Sequence, residues 1–157
     1  MTPTLLGRWH TRLLLFVFIG LPVTLLFSLY RTNWDIWPPR YELSAFYYPF
    51  LFLTAILILG LVLDFVYIHM QRLNWDNDWP FAHQFFFSIV EYLIVYYAAS
   101  DGWLDFFFTE GRPTWDDTVY HFSTVFGLSF LALLGGVQIF MVRWRFNGGE
   151  VGRFPIR

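Results

Sequence analysis

Four stretches of the chain carry almost nothing but apolar residues, and each is about as long as a helix that crosses a bilayer. Residues 13–30 (LLLFVFIGLPVTLLFSLY) run uncharged between Arg12 and Arg31. Residues 44–69 contain a single formal charge, Asp64, residues 81–100 contain only Glu91, and residues 119–142 contain none. A hydrocarbon core of about 30 Å takes about 20 largely apolar residues in helical form, because the backbone must satisfy its own hydrogen bonds there. The pattern predicts an all-α, integral membrane four-helix bundle, forming a single transmembrane domain over residues 1–157. Pro22, shortly after Gly20, predicts a bend near the middle of the first helix, and Pro49 falls in the first turns of the second.

The segments between the spans are short and aromatic. Residues 101–118 include WLDFFF, too apolar for free solution and too short to span, so they are predicted to lie along the outer interface. The Gly-rich tail, residues 146–157, is predicted to be loosely ordered. The dipeptide WD recurs in NWDIWPP (33–39), NWDNDWP (74–80) and TWDD (114–117), each time at a span boundary. One structural cause covers all three: Trp34, Trp37, Trp75, Trp79 and Trp115 anchor at headgroup depth, Asn or Asp caps a helix end, and Pro starts the next helix.

Composition strengthens this picture. The chain is 57% hydrophobic and 24% aromatic with only 14% charged residues, more apolar surface than a soluble domain of 157 residues can bury. Every one of the ten cations is Arg, and no basic run exists to hold nucleic acid. The expected partners are the lipid bilayer and other membrane subunits or a second copy of the chain. The absence of Cys excludes disulfides, thiolate catalysis and iron–sulfur clusters. No motif identifies a cofactor.

Arginine placement predicts the orientation. With a cytoplasmic N-terminus, that side carries Arg8, Arg12, Arg72, Arg143, Arg145, Arg153 and Arg157, and the far side only Arg31, Arg40 and Arg112. Both termini are then cytoplasmic. The first span is followed by no small-residue cleavage site and is expected to be retained.

The acids inside the spans are the main candidate chemistry. An acidic residue at a helix centre costs about 2.5–3.5 kcal/mol on insertion scales, so such groups normally face the bundle. Gln84, Ser88, Glu91, Val95 and Ala98 form one polar and small stripe at helical spacing, with Phe85, Phe86, Ile89, Tyr92, Leu93 and Tyr96 over the remaining surface. Gly60, Asp64, Tyr67 and Gln71 form a similar stripe on the second helix. Asp64, His83, Gln84 and Gln138 are expected at one depth as an intramembrane polar cluster, with Glu91 deeper along it. No Arg falls inside the four stretches to neutralise either acid. Desolvation disfavours the charged form, so Glu91 is expected largely protonated, donating a hydrogen bond. Gly127, Ala132, Gly135 and Gly136 provide small surfaces for close helix packing, Ala132 and Gly136 at small-xxx-small spacing. Asp76 and Asp78, flanked by His69 and His83, are weak metal candidates: no calcium-loop or zinc-site spacing accompanies them.

GRWHTRLLL at the start and a second span ending LVLDFVYIHMQRLNWDNDWP resemble small uncharacterised multispanning membrane proteins of cyanobacteria and related bacteria. The shared features are an arginine-rich start, a late aspartate in helix two and a WDxDWP turn, over roughly the first 95 residues. The resemblance implies a bacterial inner membrane, a thylakoid membrane included, and transfers no activity.

Three functions fit these features. The first is a non-catalytic accessory, anchoring or scaffold subunit of a bacterial membrane complex, supported by short loops, missing cofactor motifs and little room for a pocket. The second is a small proton- or ion-coupled transporter using Glu91 and Asp64. The third, an intramembrane lipid-modifying enzyme built on Asp64, His69, Asp76, Asp78 and His83, ranks last because its residues lack a recognised spacing.

Overall fold

A computed structural model describes residues 4–34, 43–73, 81–106, 114–137 and 139. All regular structure among them is helical: α1 (Leu5–Leu15), a π-helical turn (Phe16–Gly20), α2 (Leu21–Trp34), α3 (Leu43–Leu73), α4 (Phe81–Ser100), and α5 (Trp115–Ala132) running into a second π turn (Leu133–Val137).

The first rod begins where the chain offers a cap. Thr4 is extended, and its hydroxyl accepts the Gly7 amide at 3.1 Å, satisfying one of the orphan N–H groups of a helix start. The helix therefore starts eight residues earlier than the uncharged stretch at 13–30 and takes Arg8 and Arg12 into its body. Further along, Pro22 has no N–H to give the carbonyl of Phe18. Just before it the ladder slips by one residue, the Leu21 amide reaching back to the Phe16 carbonyl, and the rod continues as α2.

α1, the π turn and α2 form one rod that packs on α3. α3 packs on α4, α4 on α5, and α5 returns to α2 and the π turn, closing a ring of four rods. Successive rods run antiparallel, as falling partner numbers show. Arg8 meets Gln71, Arg12 meets Asp64, and Gly20 sits against Leu53. Between α4 and α5, Tyr96 meets Trp115, Tyr92 meets Phe122, and Phe85 meets Phe130.

The bundle is inside-out relative to a water-soluble one. Four of its five largest fully buried side chains are polar: Glu91, Thr24, Asp64 and Ser28, with Phe52 the fifth. Large apolar side chains point outward instead, Phe18, Leu26, Phe86 and Leu131 each being more than 60% exposed. Water would penalise that arrangement, and hydrocarbon favours it. Three segments are long and apolar enough to cross a membrane: Leu5–Tyr30, Phe46–Leu73 and Trp115–Val137. Against the expected boundaries, the first span gains a charged N-terminal portion and the second runs four residues past His69. In the last, helix begins at Trp115, inside the segment expected to lie along the interface. α4 matches the expected 81–100 as a helix, but its His83, Gln84 and Glu91 leave it outside the three segments.

On α4 the outward stripe is Phe86, Val90, Ile94 and Tyr97, while Glu91, Val95 and Ala99 are buried. The expected inward direction of Glu91 and Val95 is what the structure shows. Tyr92, expected on the outer surface, is instead a core residue packed with Phe52, Val95 and Ala99. The reason is chemical: its phenol finds a partner inside, at 3.0 Å from the Thr118 hydroxyl.

Candidate functional site

The polar centre of the bundle is built around Arg12. Its Nε and Nη2 donate to Asp64 Oδ2 and Oδ1 at 2.9 and 3.1 Å, and its Nη1 and Nη2 donate to Glu91 Oε2 and Oε1 at 2.9 and 2.7 Å. One planar guanidinium thus holds two carboxylates, each in a two-point fork, and ties α1 to α3 and α4. Both acids are 1% exposed.

This overturns the expectation that no Arg neutralises the two acids and that Glu91 serves as a protonated donor. Glu91 accepts, and Arg12 gives. The sequence places Arg12 on the cytoplasmic side, just before the first uncharged stretch. The capped helix start places it about two turns inside the rod, and its long side chain runs inward rather than out to water.

Two further features complete the centre. Arg8 lies one turn before Arg12 on the same helix face, is buried, and donates from Nη2 to Gln71 Oε1 at 2.8 Å. With both arginines cationic and both carboxylates ionised, the formal charge of the four residues sums to zero. Gly60 makes the approach possible. A Cβ there would overlap the Arg12 guanidinium, with Cζ at 2.8 Å and Glu91 Oε2 at 3.1 Å. Tyr67, buried one turn beyond Asp64, faces the same group.

A second polar layer lies farther along the rods and contains no formal charge. Thr24 Oγ1 and His121 Nε2 share a 2.8 Å hydrogen bond between α2 and α5, both residues almost fully buried, with the Phe27 ring against the imidazole. Between α4 and α5, the Tyr92 and Thr118 hydroxyls share a 3.0 Å hydrogen bond, and the Thr118 hydroxyl also lies within reach of the carbonyls of Thr114 and Trp115.

Between the layers lies a cavity of about 120 Å³, with walls from all four rods. Arg12, Gln84, Ser88, Glu91 and Ser129 are its polar lining, and Phe16, Phe122, Phe126 and Phe130 contribute rings. The expectation of little room for a pocket was therefore too strict, because the π turn carrying Phe16 and Gly20 stands on the cavity wall.

The other expected site residues fare differently. Of the cluster Glu91, Asp64, His83, Gln84 and Gln138, Arg12 joins the first two, Gln84 lies beside Glu91 along the cavity, and His83 stacks on Phe87 at 6.2 Å. Gln138 lies outside the described residues, as do Asp76, Asp78, Trp37, Trp75, Trp79 and the side chain of Trp34. His69 is exposed and its ring bonds the Phe65 carbonyl of its own helix. No group of three or more potential metal ligands occurs among the described residues. Trp115 is 44% exposed and packs against Tyr92 and Tyr96. A Cβ at Gly127, Gly135 or Gly136 would meet nothing within 4 Å, so these glycines make no close helix contact within the described residues.

Fold and site together define a protein whose described residues are helical, with three helices long and apolar enough to cross a membrane and an internal charge triad. Comparison with protein families, with curated proteins and with solved structures finds no match for the chain.

Proposed function

We propose that this chain is a non-catalytic accessory or anchoring subunit of a bacterial membrane complex, crossing the membrane four times with both termini on the cytoplasmic side. The observation that carries this reading is the closed triad: Asp64 and Glu91 are each held by two hydrogen bonds from Arg12. Groups used as carriers must exchange a proton or an ion, whereas these are committed to locking three rods together. The outer faces are left apolar, suited to lipid and to neighbouring apolar helices. In this topology α4 is the third of the four spans, its charge hidden by Arg12 and its outward stripe apolar.

The test is purification from the native membrane in mild detergent. A stoichiometric membrane partner that is lost from the Gly135→Leu variant, while the bundle still unfolds at the wild-type temperature, supports the subunit reading. A chain recovered alone at every detergent concentration tells against it.

One observation favours a second reading, that of a small proton- or ion-coupled transporter: the cavity reaches Glu91. Reconstituted liposomes separate the two. Flux abolished by Glu91→Gln in a folded protein would replace the first reading with the second.

A further inference from the structure

We propose that the cavity between the four rods is a binding site for a neutral, single-ring, carbonyl-bearing amphipath, that is, the head of a quinone-class lipid. This goes beyond the subunit reading and does not depend on any partner being found.

Size is the first argument. The cavity holds about 120 Å³, and an apolar cavity of about 150 Å³ is known to accept benzene. That space is on the scale of one six-membered ring. A hydrocarbon tail attached to the ring would have to leave between the rods.

Shape and surface give the second argument. On α5 the rings of Phe122 and Phe126 lie parallel, at 6° and 5.4 Å between centroids, and Phe130 continues the column one turn on. All three line the cavity, with Phe16 contributed by the π turn. A wall of rings favours a flat partner that can pack face or edge against it.

The polar lining supplies the third. Arg12 commits four of its five N–H groups to Asp64 and Glu91. One Nη1 hydrogen remains beyond those four, and the Gln84 amide lines the same cavity. The Ser88 hydroxyl gives its proton to the Gln84 backbone carbonyl at 2.8 Å. The donors are therefore Arg12, Gln84 and the Ser129 hydroxyl, which lines the same cavity, and what suits them is a carbonyl oxygen. The charge state of the head follows from Glu91. An anionic head would confront its carboxylate, and a cationic head would compete with Arg12 for it, so the head that leaves the triad intact is neutral.

The experiment uses the full chain in detergent and a benzoquinone carrying a decyl chain as probe, scoring retention by the protein above that of empty micelles. Saturable binding of about one probe per chain is expected. Ser129→Phe puts a ring into the cavity and should abolish it, while Ser123→Phe, the same enlargement at an exposed position of α5, should leave it unchanged. Gln84→Leu keeps the volume and removes a donor, and should weaken binding about tenfold. If Ser129→Phe fails to fold, Gln84→Leu decides on its own. Retention no greater than that of micelles, or wild-type binding by a folded Ser129→Phe or by Gln84→Leu, overturns the proposal and leaves the cavity to water.

Discussion

The bundle is fastened at two levels by opposite chemistries. Around Arg12, three formal charges converge from three rods. About 18 Å farther along the first rod, taking 1.5 Å per residue, Thr24 and His121 join α2 to α5 with one hydrogen bond and no formal charge. Asp64 and Glu91 in one layer and Thr24 and His121 in the other are almost fully buried, so none of them can fall back on water. The difference lies in what happens when one member is lost. A hydroxyl or imidazole deprived of its partner costs one hydrogen bond, whereas a guanidinium removed from between two carboxylates leaves two acids facing each other in a medium that can solvate neither.

Arg12→Gln is accordingly the change expected to separate the two layers most sharply. It should lower stability by roughly 3–5 kcal/mol, the cost of leaving partners of a buried ion pair uncompensated, read as a shifted midpoint of unfolding in detergent titrated with SDS. Glu91→Gln should cost less. The amide still accepts from Arg12, and Arg12 and Asp64 are left as a one-to-one pair. Neutralising all three residues together, as Arg12→Met with Asp64→Asn and Glu91→Gln, should recover much of what Arg12→Gln loses, because no charge then remains to be desolvated. A triple variant as unstable as the single one would show that the triad acts through geometry rather than charge.

Gly60→Ala comes next. The added methyl group overlaps the Arg12 guanidinium, the far end of a flexible side chain that would ordinarily swing aside. Here four hydrogen bonds hold it, so the methyl must displace the triad, at about 1–3 kcal/mol for overpacking a filled interior. Gly127→Ala is the matched control, since a Cβ there meets nothing within 4 Å. Equal stability of the two variants would mean that the guanidinium relaxes freely and that the charged layer is looser than its geometry indicates.

These residues also mark how far the sequence was legible. The helices and the burial of Asp64 and Glu91 follow from hydrophobic period and from the cost of charge in lipid. Gly60 stood on the correct stripe of α3. What could not be read was the cation, because a search for uncharged stretches stops at the first Arg it meets and so cuts the first helix at residue 13. The signal was present in LLGRWHTRLLL: Arg8 and Arg12 are four residues apart on one helix face, and Thr4 is an N-cap residue type. The pairing of Thr24 with His121 was less accessible. It joins residues 97 apart in the chain, and a single His in an apolar span gives no indication of which rod will answer it.

Thr24→Val tests the neutral layer and should have the smallest effect. It keeps the shape of the side chain while removing the oxygen, so the loss is one interhelical hydrogen bond, and bonds of this kind in membrane proteins average about 0.6 kcal/mol and reach about 1.7. His121 would still be packed against the Phe27 ring. The informative measurement is a double-mutant cycle of Thr24→Val with His121→Phe: a coupling energy of a few tenths up to about 1.7 kcal/mol assigns the loss to this bond. The same unfolding titration applied to Tyr92→Phe should give a loss of the same order at the α4–α5 seam. A loss at Thr24 as large as at Arg12 would remove the contrast between the layers, and with it the claim that formal charge, rather than burial alone, makes the triad the less tolerant of the two.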